Sequence, residues 1–141
     1  MIILKDILYK VAIEAVMGST DMAIRKIDFD SRKIGAKDAF VAIRGTISDG
    51  HDFIDKAIHL GAIAIVCEVF PENIASGVTY IKVKDANSAL AFMAANYYGN
   101  PSQNLKLIGI TGTNGKTTVA SLLYQLFKKA GFKVGLLSTV K

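Results

Sequence analysis

The stretch GITGTNGKTT (109–118) decides how the second half of this 141-residue chain is expected to fold. It lies between a short apolar run, LKLIGIT (105–111), and a segment in which apolar residues recur every three or four positions. A glycine-rich loop between a strand and a helix allows successive backbone N–H groups to converge on a phosphate at the positive end of the helix. The stretch therefore predicts a phosphate-binding loop.

The last residues of the loop supply the side chains that such a site uses. Lys116 would place its ammonium near the β- and γ-phosphates of a nucleotide, and the hydroxyl of Thr117 would ligate Mg²⁺. The general pattern G-x-x-x-x-G-K-[ST] has a glycine five residues before Gly115, where this chain has Ile110. The loop is thus a variant of the general pattern, with Gly112 inside it.

The segment after the loop is predicted to be an amphipathic helix. Its apolar residues share one helical stripe: Val119, Leu122, Leu123, Leu126, Phe127 and Ala130. The next apolar run, FKVGLLSTV (132–140), predicts a second strand, and a strand–helix–strand unit makes its two strands parallel. Because such a sheet needs further strands, we interpret residues 86–141 as the truncated first part of a P-loop, Rossmann-like, parallel-sheet ATPase domain.

Residues 1–85 are predicted to form a small mixed α/β domain of their own. Four apolar runs are strand candidates: IRKIDF (24–29), AFVAI (39–43), AIAIVCE (62–68) and VTYIKV (78–83). Between them, DFIDKAIHLG (52–61) predicts a helix that Asp52 caps and Gly61 ends. A further helix pattern in NSALAFMAANYYG (87–99), started by Asn87 or Ser88, opens the second domain.

The uneven charge supports this boundary. All twelve acidic residues lie between Asp6 and Asp85, whereas the segment 86–141 has six lysines and no acidic residue. Such an excess suits phosphate-rich small molecules, or a segment separated from the acidic remainder of its domain. A nucleic-acid surface is a less favoured third interpretation, because the chain has no recognised nucleic-acid motif and no basic run.

Composition indicates a globular protein of a reducing compartment. No uninterrupted apolar run reaches the roughly 18 residues of a membrane span. The single cysteine, Cys67, excludes an intrachain disulfide, and we interpret it as a buried strand residue rather than a reactive thiol. We expect a cytoplasmic monomer with neither a membrane nor a nucleic-acid partner.

Two longer stretches combine several motifs in order. DSRKIGAKDAFVAIRGTISDGHDFIDKAIHLGAIAIV (30–66) contains a D-S-R turn, a strand, a G-x-x-x-D-G-x-x-F loop, a helix and a G-A-x-A-x-x strand. NPSQNLKLIGITGTNGKTT (100–118) continues the pattern in register. Together they resemble the amino-terminal part of the Mur ligase family, whose members assemble the peptide of bacterial cell-wall precursors. The loop T-G-T-N-G-K-T-T is most similar to that of the members that add the third amino acid.

The resemblance implies an ATP-dependent amide-bond ligase of peptidoglycan-precursor synthesis, with ATP and Mg²⁺ as cofactors. Such an enzyme would add diaminopimelate or lysine to UDP-N-acetylmuramoyl-L-alanyl-D-glutamate through an acyl phosphate. Because the family's later elements are absent, we expect the chain to be the amino-terminal portion of a longer ligase and to be inactive alone. The alternatives are the family member that adds D-Ala-D-Ala and a non-catalytic nucleotide-binding module.

The resemblance also implies site residues at the matching positions. The UDP-sugar is expected against Phe29, Ser31 and the loop residues Thr46, Ile47 and Ser48. Many relatives have a His-Gln pair at the positions of Thr46 and Ile47, so the side-chain contacts of this loop differ from theirs. The backbone contacts of the loop do not depend on that pair.

For the nucleotide, the resemblance implies one catalytic residue, Lys116, and one metal ligand, Thr117. The expected ATP site comprises Gly112, Thr113, Asn114, Gly115, Lys116, Thr117 and Thr118.

Simpler interpretations of several residues stay open. Ser31 could be a turn residue between two strands, and 46–48 could be a plain surface loop. Asp49, His51 and Asp52 have a polar spacing compatible with a metal ion, but they precede a helix, which favours cap and turn roles.

Overall fold

The structure, a computed structural model, describes residues 1–46 and 48–138. Two compact units make up the chain, Met1–Gln103 and Asn104–Lys141. The strands are β1 (Ile2–Ile3), β2 (Ile13–Met17), β3 (Ala23–Ile24), β4 (Ile27–Asp28), β5 (Asp38–Val41), β6 (Ala62–Cys67) and β7 (Thr79–Val83). The helices are α1 (Leu4–Ile7), α2 (Ile54–His59), α3 (Ala86–Tyr97) and α4 (Lys116–Lys129). Short 3-10 turns lie at Ser31–Lys33, Gly50–Phe53 and Pro101–Asn104.

A five-stranded sheet forms the centre of the first unit. Its strand order is β2-β7-β6-β5-β4, in which β4 to β7 are parallel and β2 pairs antiparallel with β7. β1 and β3 make a separate antiparallel pair. Each of the four strand candidates in residues 1–85 overlaps a strand of the structure, which confirms the mixed α/β fold class. β2 was not predicted. It is an edge strand of the sheet, and four of its five residues are exposed.

Both faces of the sheet are covered, and β5 shows how the sequence achieves this. Ala39 and Val41 pack in one apolar layer, with residues of α1 and α3. Phe40 and Ala42 pack in the other layer, with residues of α2. Because successive strand residues point to opposite faces, a continuous apolar run serves both layers at once. The first unit is therefore a three-layer α/β/α arrangement.

Helix α3, which the sequence analysis assigned to the second domain, lies in the first compact unit. Ala86, Ala89 and Met93 are buried in the same apolar layer as α1. The side-chain amide of Asn96 donates hydrogen bonds to the carbonyls of Ile7 (3.0 Å) and Tyr9 (2.7 Å), which join α3 to the start of the chain. The unit consequently ends after Gln103, later than the predicted boundary at residue 85.

Two predicted helix starts are corrected by the observed caps. The carboxylate of Asp85, and not Asn87 or Ser88, caps α3 by accepting the backbone N–H groups of Asn87 (2.9 Å) and Ser88 (3.0 Å). The turn before α2 is capped by Asp49 rather than Asp52. In both cases the capping carboxylate accepts N–H groups two or three residues ahead of it, so the cap precedes the helical pattern. Gly61 ends α2 as predicted, at a φ of 104°.

The second unit contains α4 at its predicted place. Gly115 precedes it at a φ of 76°, and Gly131 follows its end at a φ of 87°. The two predicted strands, however, are wrong for the part that the structure describes: neither 105–111 nor 132–138 belongs to a strand. Leu107 is 91% exposed and Leu137 is fully exposed, so neither side chain is buried in an apolar layer. Thr139 and Val140 lie outside the described residues.

None of the helices in the described ranges combines the length and apolarity that crossing a bilayer requires.

A buried carboxylate stabilises the amino-terminal edge of the parallel strands. Asp38, the first residue of β5, is fully buried and accepts two hydrogen bonds from the Arg25 guanidinium, both 2.8 Å long. The backbone N–H of Gly35 donates a third, also 2.8 Å. Burial by itself raises the pKa of Asp38, but these hydrogen bonds and the charges of Arg25 and Lys26 outweigh it and hold the pKa below its usual value.

We predict that Asp38→Asn lowers the free energy of unfolding at pH 7 by roughly 1–3 kcal/mol, because a charged, buried acceptor is lost. Since the folded-state pKa is depressed, the carboxylate stabilises fully above the usual value of 3.8 and loses its effect as the pH falls through the lower folded value. Urea unfolding at pH 7, 5 and 3 measures the difference. It should persist at pH 5 and shrink at pH 3, while the exposed Asp21→Asn control changes little. An undiminished difference at pH 3 contradicts this account.

Candidate functional site

Two loops leave the carboxyl edge of the parallel sheet next to each other. β4 pairs with β5 in parallel, with Asp28 opposite Phe40, so the segments 29–33 and 42–49 both begin at this edge. Ligands of open α/β sheets bind beyond the carboxyl ends of the strands. The structure therefore places Phe29 and Ser31 on one loop, and Thr46 and Ser48 on its neighbour. Ile47, the remaining predicted residue, lies outside the described residues.

The first loop is held by a series of side-chain to backbone hydrogen bonds. The carboxylate of Asp28 accepts the N–H of Asp30 (3.0 Å), and that of Asp30 accepts the N–H of Arg32 (3.1 Å). The ammonium of Lys26 donates to Asp28 (3.0 Å) and to the carbonyl of Lys33 (2.6 Å). This series defines the backbone on both sides of Ser31, the first residue of the 3-10 turn.

The two predicted residues of this loop differ in exposure. Ser31 is 7% exposed, whereas Phe29 is 54% exposed. Phe29 also lines a groove of about 360 Å³, together with Lys26, Ile27, Asp28, Leu90, Ala94, Tyr97 and Tyr98. Tyr97 is fixed there by its hydroxyl, which donates to the carbonyl of Arg25 (2.7 Å). An exposed aromatic ring beside a partly aromatic groove can take up a flat ring of a ligand.

The charge of Arg32 is compensated within the same loop. Its guanidinium donates two hydrogen bonds to the Asp30 carboxylate, at 2.8 and 2.9 Å. These bonds, the backbone N–H of Arg32 and nearby positive charge lower the pKa of Asp30 to about 2. The turn around Ser31 therefore carries an ionised carboxylate and its counter-charge at every physiological pH.

The second loop closes on itself like a small hairpin. The N–H of Gly45 donates to the carbonyl of Ser48 (3.0 Å), and the N–H of Gly50 donates to the carbonyl of Ile43 (2.8 Å). Gly50 approaches the opposite side of the loop so closely that a Cβ would lie 2.6 Å from the Ile43 carbonyl oxygen. The second glycine of the G-x-x-x-D-G pattern is thus required by this contact. Thr46 and Ser48 are exposed at the tip.

A polar cluster joins the base of this loop to the end of β6. The ring of His51 contacts the carboxylate of Asp49 through Nδ1 (2.6 Å) and accepts the backbone N–H of Glu68 at Nε2 (3.0 Å). The guanidinium of Arg44 lies 3.5 Å from the Asp49 carboxylate and 3.3 Å from that of Glu68. The backbone and ring hydrogen bonds from His51 hold the pKa of Asp49 below its usual value.

The sequence analysis recognised only part of this cluster. The cap interpretation of Asp49 is confirmed, because its carboxylate accepts the N–H of His51 (2.9 Å). Glu68 was missed, since it follows a different strand and has no local motif. Across residues 1–46 and 48–138, no group of three His, Cys, Asp or Glu side chains is arranged to hold a metal ion.

The predicted phosphate loop precedes α4 in the second unit. Gly112 and Gly115 have φ angles of 145° and 76°, which glycine adopts at little cost. Lys116 is the first residue of the helix, and its ammonium donates to the carbonyls of Gly112 and Thr113. Thr117 and the next residue, Thr118, lie exposed in the first helical turn, where the helix leaves N–H groups without internal partners. The expected ATP residues are therefore contiguous around one helix start.

Comparison with known proteins identifies the family. Residues 23–98 match the family described as "Mur ligase family, catalytic domain", and residues 110–141 match the "Mur ligase middle domain". The first match alone covers more than half of the chain. The chain belongs to the Mur ligase family.

Several similar proteins have the same name. The UDP-N-acetylmuramoyl-L-alanyl-D-glutamate–2,6-diaminopimelate ligase of Cytophaga hutchinsonii is 52% identical over 139 residues, which are 98% of this chain and 29% of that protein. The ligase of the same name from Bacteroides fragilis is 48% identical over 137 residues, 97% of this chain and 28% of that protein. The chain thus spans less than a third of the length of these relatives.

The similar solved structures belong to another member of the family, the MurF ligase. The MurF ligase of Thermotoga maritima, in complex with ADP, is 36% identical and superposes with a TM-score of 0.53. The match covers 74% of this chain and 23% of that one. A MurF ligase of Acinetobacter baumannii is 30% identical, with a TM-score of 0.55 over 75% of this chain and 22% of that one.

Cys67, at the end of β6, is a buried residue, as the sequence analysis predicted. Its side chain is fully buried, and burial raises the pKa of its thiol to about 11. The thiolate is the reactive form, so both accessibility and ionisation disfavour reaction.

We predict that native Cys67 reacts with a disulfide reagent at pH 8 at least about 100-fold more slowly than in the urea-unfolded chain, given the pKa change from 9.0 to about 11. Absorbance of the released thiol reports the rate. Adding an exposed thiol by Ser102→Cys provides the positive control, which should react at once in the native state. Equal rates for Cys67 before and after unfolding would show that it is accessible.

Proposed function

We propose that this chain is the amino-terminal part of an ATP-dependent ligase that adds the third amino acid to UDP-N-acetylmuramoyl-L-alanyl-D-glutamate. One observation carries the proposal: identity of 46–52% over 97–98% of the chain with proteins named as the diaminopimelate-adding ligase. Diaminopimelate is therefore the favoured amino acid, and lysine the alternative. The activity belongs to the longer protein, because the chain spans only 28–29% of these relatives.

The carboxyl edge of the first unit supports the binding of the UDP end. Ser31 and Ser48 stand on neighbouring loops of this edge, and each offers a hydroxyl to a diphosphate oxygen. Phe29, exposed beside the aromatic groove, offers an apolar face to the uracil ring. Thr46 occupies the loop tip next to them. We propose these residues, with Ile47, as the UDP-sugar contacts.

The loop before α4 supports the binding of ATP. Glycines at positive φ keep the backbone open at 112 and 115, and the start of a 14-residue helix favours anions. The ammonium of Lys116 lies over the loop, so its charge is available to a phosphate. We propose Gly112 to Thr118 as the nucleotide site, with Lys116 stabilising charge on the transferred phosphoryl group.

Mg²⁺ would find one ligand in this loop, the hydroxyl of Thr117. The ion neutralises charge between the phosphates of ATP. Its other protein ligands would come from the rest of the full-length protein, because no acidic residue follows Asp85 in this chain. The reaction would pass the γ-phosphoryl group to the D-glutamyl carboxylate, and the amine of the incoming amino acid would then displace phosphate.

The D-Ala-D-Ala-adding ligase is the second candidate, favoured by the MurF structures. Their identity to this chain is 30–36% over 74–75% of its length, below that of the diaminopimelate ligases. The comparison therefore ranks it second. Because both proposed substrates are nucleotides of the cell interior, we also propose a cytoplasmic location, and a monomer as the working state.

We predict that the 141-residue chain by itself releases no phosphate from ATP above background, with Mg²⁺ and UDP-N-acetylmuramoyl-L-alanyl-D-glutamate present. The physical reason is that Mg²⁺ lacks carboxylate ligands after the loop. A phosphate-release assay measures it, with Lys116→Ala as the matched control. Turnover that disappears in Lys116→Ala would refute the prediction.

We predict that UDP-N-acetylmuramic acid still binds weakly to this chain and that Ser31→Ala weakens binding by about tenfold or more. The loss of a hydrogen bond to a charged group costs roughly 1.5–3 kcal/mol. Chemical-shift titration measures the affinity and shows where the ligand binds.

Two controls separate the UDP and ATP sites in this titration. Ser102→Ala, an exposed serine outside both sites, and Lys116→Ala should leave the affinity unchanged. Shifts that cluster at 112–118 and vanish in Lys116→Ala would assign the ligand to the phosphate loop instead and reject the UDP-sugar site.

A further inference from the structure

The ring of His51 is the link between the second loop and the central sheet. His51 follows the loop directly, in the turn Gly50–Phe53, and its side chain is 15% exposed. On one side Nδ1 meets the carboxylate of Asp49, where the loop ends. On the other side Nε2 receives the backbone N–H of Glu68, the residue after β6. One side chain thus bridges two segments that are 17 residues apart in the chain.

The two hydrogen bonds determine the protonation state of the ring. A backbone N–H can only donate, so Nε2 must present its lone pair to Glu68. In the neutral imidazole the proton is then on Nδ1 and is donated to Asp49. A protonated ring has an N–H at both nitrogens, and the Nε2–H would face the N–H of Glu68, donor against donor.

The groups around the ring have opposite effects on its protonation. The Asp49 carboxylate favours the protonated ring, whereas the Glu68 N–H favours the neutral ring. The guanidinium of Arg44 lies between the carboxylates of Asp49 and Glu68 and adds positive charge beside the ring. Glu68 is itself held, because its carboxylate accepts the N–H of Ala86 at the start of α3 (3.0 Å). Glu68, to which the His51 ring is bonded, is therefore held in place by β6 and by α3.

We infer that His51 is a positioning residue for Gly45, Thr46 and Ser48 of the substrate loop, because its neutral ring joins the turn after this loop to the residue after β6. Protonation removes the bond between the loop base and Glu68, while the backbone hydrogen bond from the Ala42 N–H to the Val66 carbonyl (2.8 Å) remains. Affinity for the UDP-sugar then falls when the ring is protonated. This inference rests on the proposed function, since it takes the loop as part of the UDP-sugar site.

The test compares wild type with His51→Gln between pH 8 and pH 5, the range in which histidines titrate. A glutamine amide oxygen can accept the Glu68 N–H and does not titrate. UDP-N-acetylmuramic acid serves as the probe, because both of its phosphates are esterified and keep their charge over this range. His59→Gln is the matched control, since His59 is exposed and its ring makes a hydrogen bond to the carbonyl of Asp55 on its own helix.

Wild type and His59→Gln should lose about tenfold in affinity between pH 8 and pH 5, as expected for one hydrogen bond. His51→Gln should bind at pH 8 within about threefold of wild type and show a flat profile. His51→Ala should bind about tenfold more weakly at every pH. Equal pH profiles for wild type and His51→Gln would overturn the inference.

Chemical shifts of the ligand-free protein give a second readout that does not depend on binding. In wild type, the amide shifts of Gly45, Ser48 and Glu68 should follow the titration of the His51 ring, and in His51→Gln they should not. Amides that ignore the ring's titration overturn the inference, whether or not the probe binds. If the amides follow the ring but the probe does not bind, the proposed UDP-sugar site fails and the loop-positioning role of His51 is supported.

Discussion

The burial of the parallel strands on both faces is the constraint on which the first unit depends. β5, β6 and β7 supply apolar side chains to two layers, so helices must cover each face. α1 and α3 cover one face and α2 covers the other. This requirement explains why α3 stays with the first unit: without Ala86, Ala89 and Met93, residues such as Val41 and Ile81 would lose their cover on that side.

With both faces covered by helices, the polar clusters around Asp38, Ser31 and His51 lie at the two edges where strands begin and end. At the amino-terminal edge, the buried Asp38 carboxylate is satisfied by Arg25 and Gly35 and serves the fold. At the carboxyl edge, the polar groups hold loops instead. The hydrogen bonds around Ser31 and the cluster of Arg44, His51 and Glu68 keep two neighbouring loops in defined shapes with exposed tips. This difference between the two edges agrees with a ligand site at the carboxyl edge, as in other α/β sheets.

The second unit shows how far local sequence can determine structure. Gly112, Gly115 and the first residues of α4 adopt their conformations from local rules: glycine at positive φ, a helix start after it, and Gly131 after its end. The flanking runs 105–111 and 132–138 are apolar and rich in strand-forming residues, yet they are not strands. A parallel strand is stabilised by hydrogen bonds to neighbouring strands and by helices that cover its side chains, so composition alone did not suffice.

The sequence by itself determined those features that depend on short segments of the chain. The strand runs of the first unit, the helix after the glycine loop and the burial of Cys67 were predicted from periodicity and turn residues. The tertiary structure alone decided which layer α3 joins and that Glu68 meets His51. These contacts join residues that have no common local pattern, and their energy exists only when the parallel sheet brings the ends of separate strands to one edge.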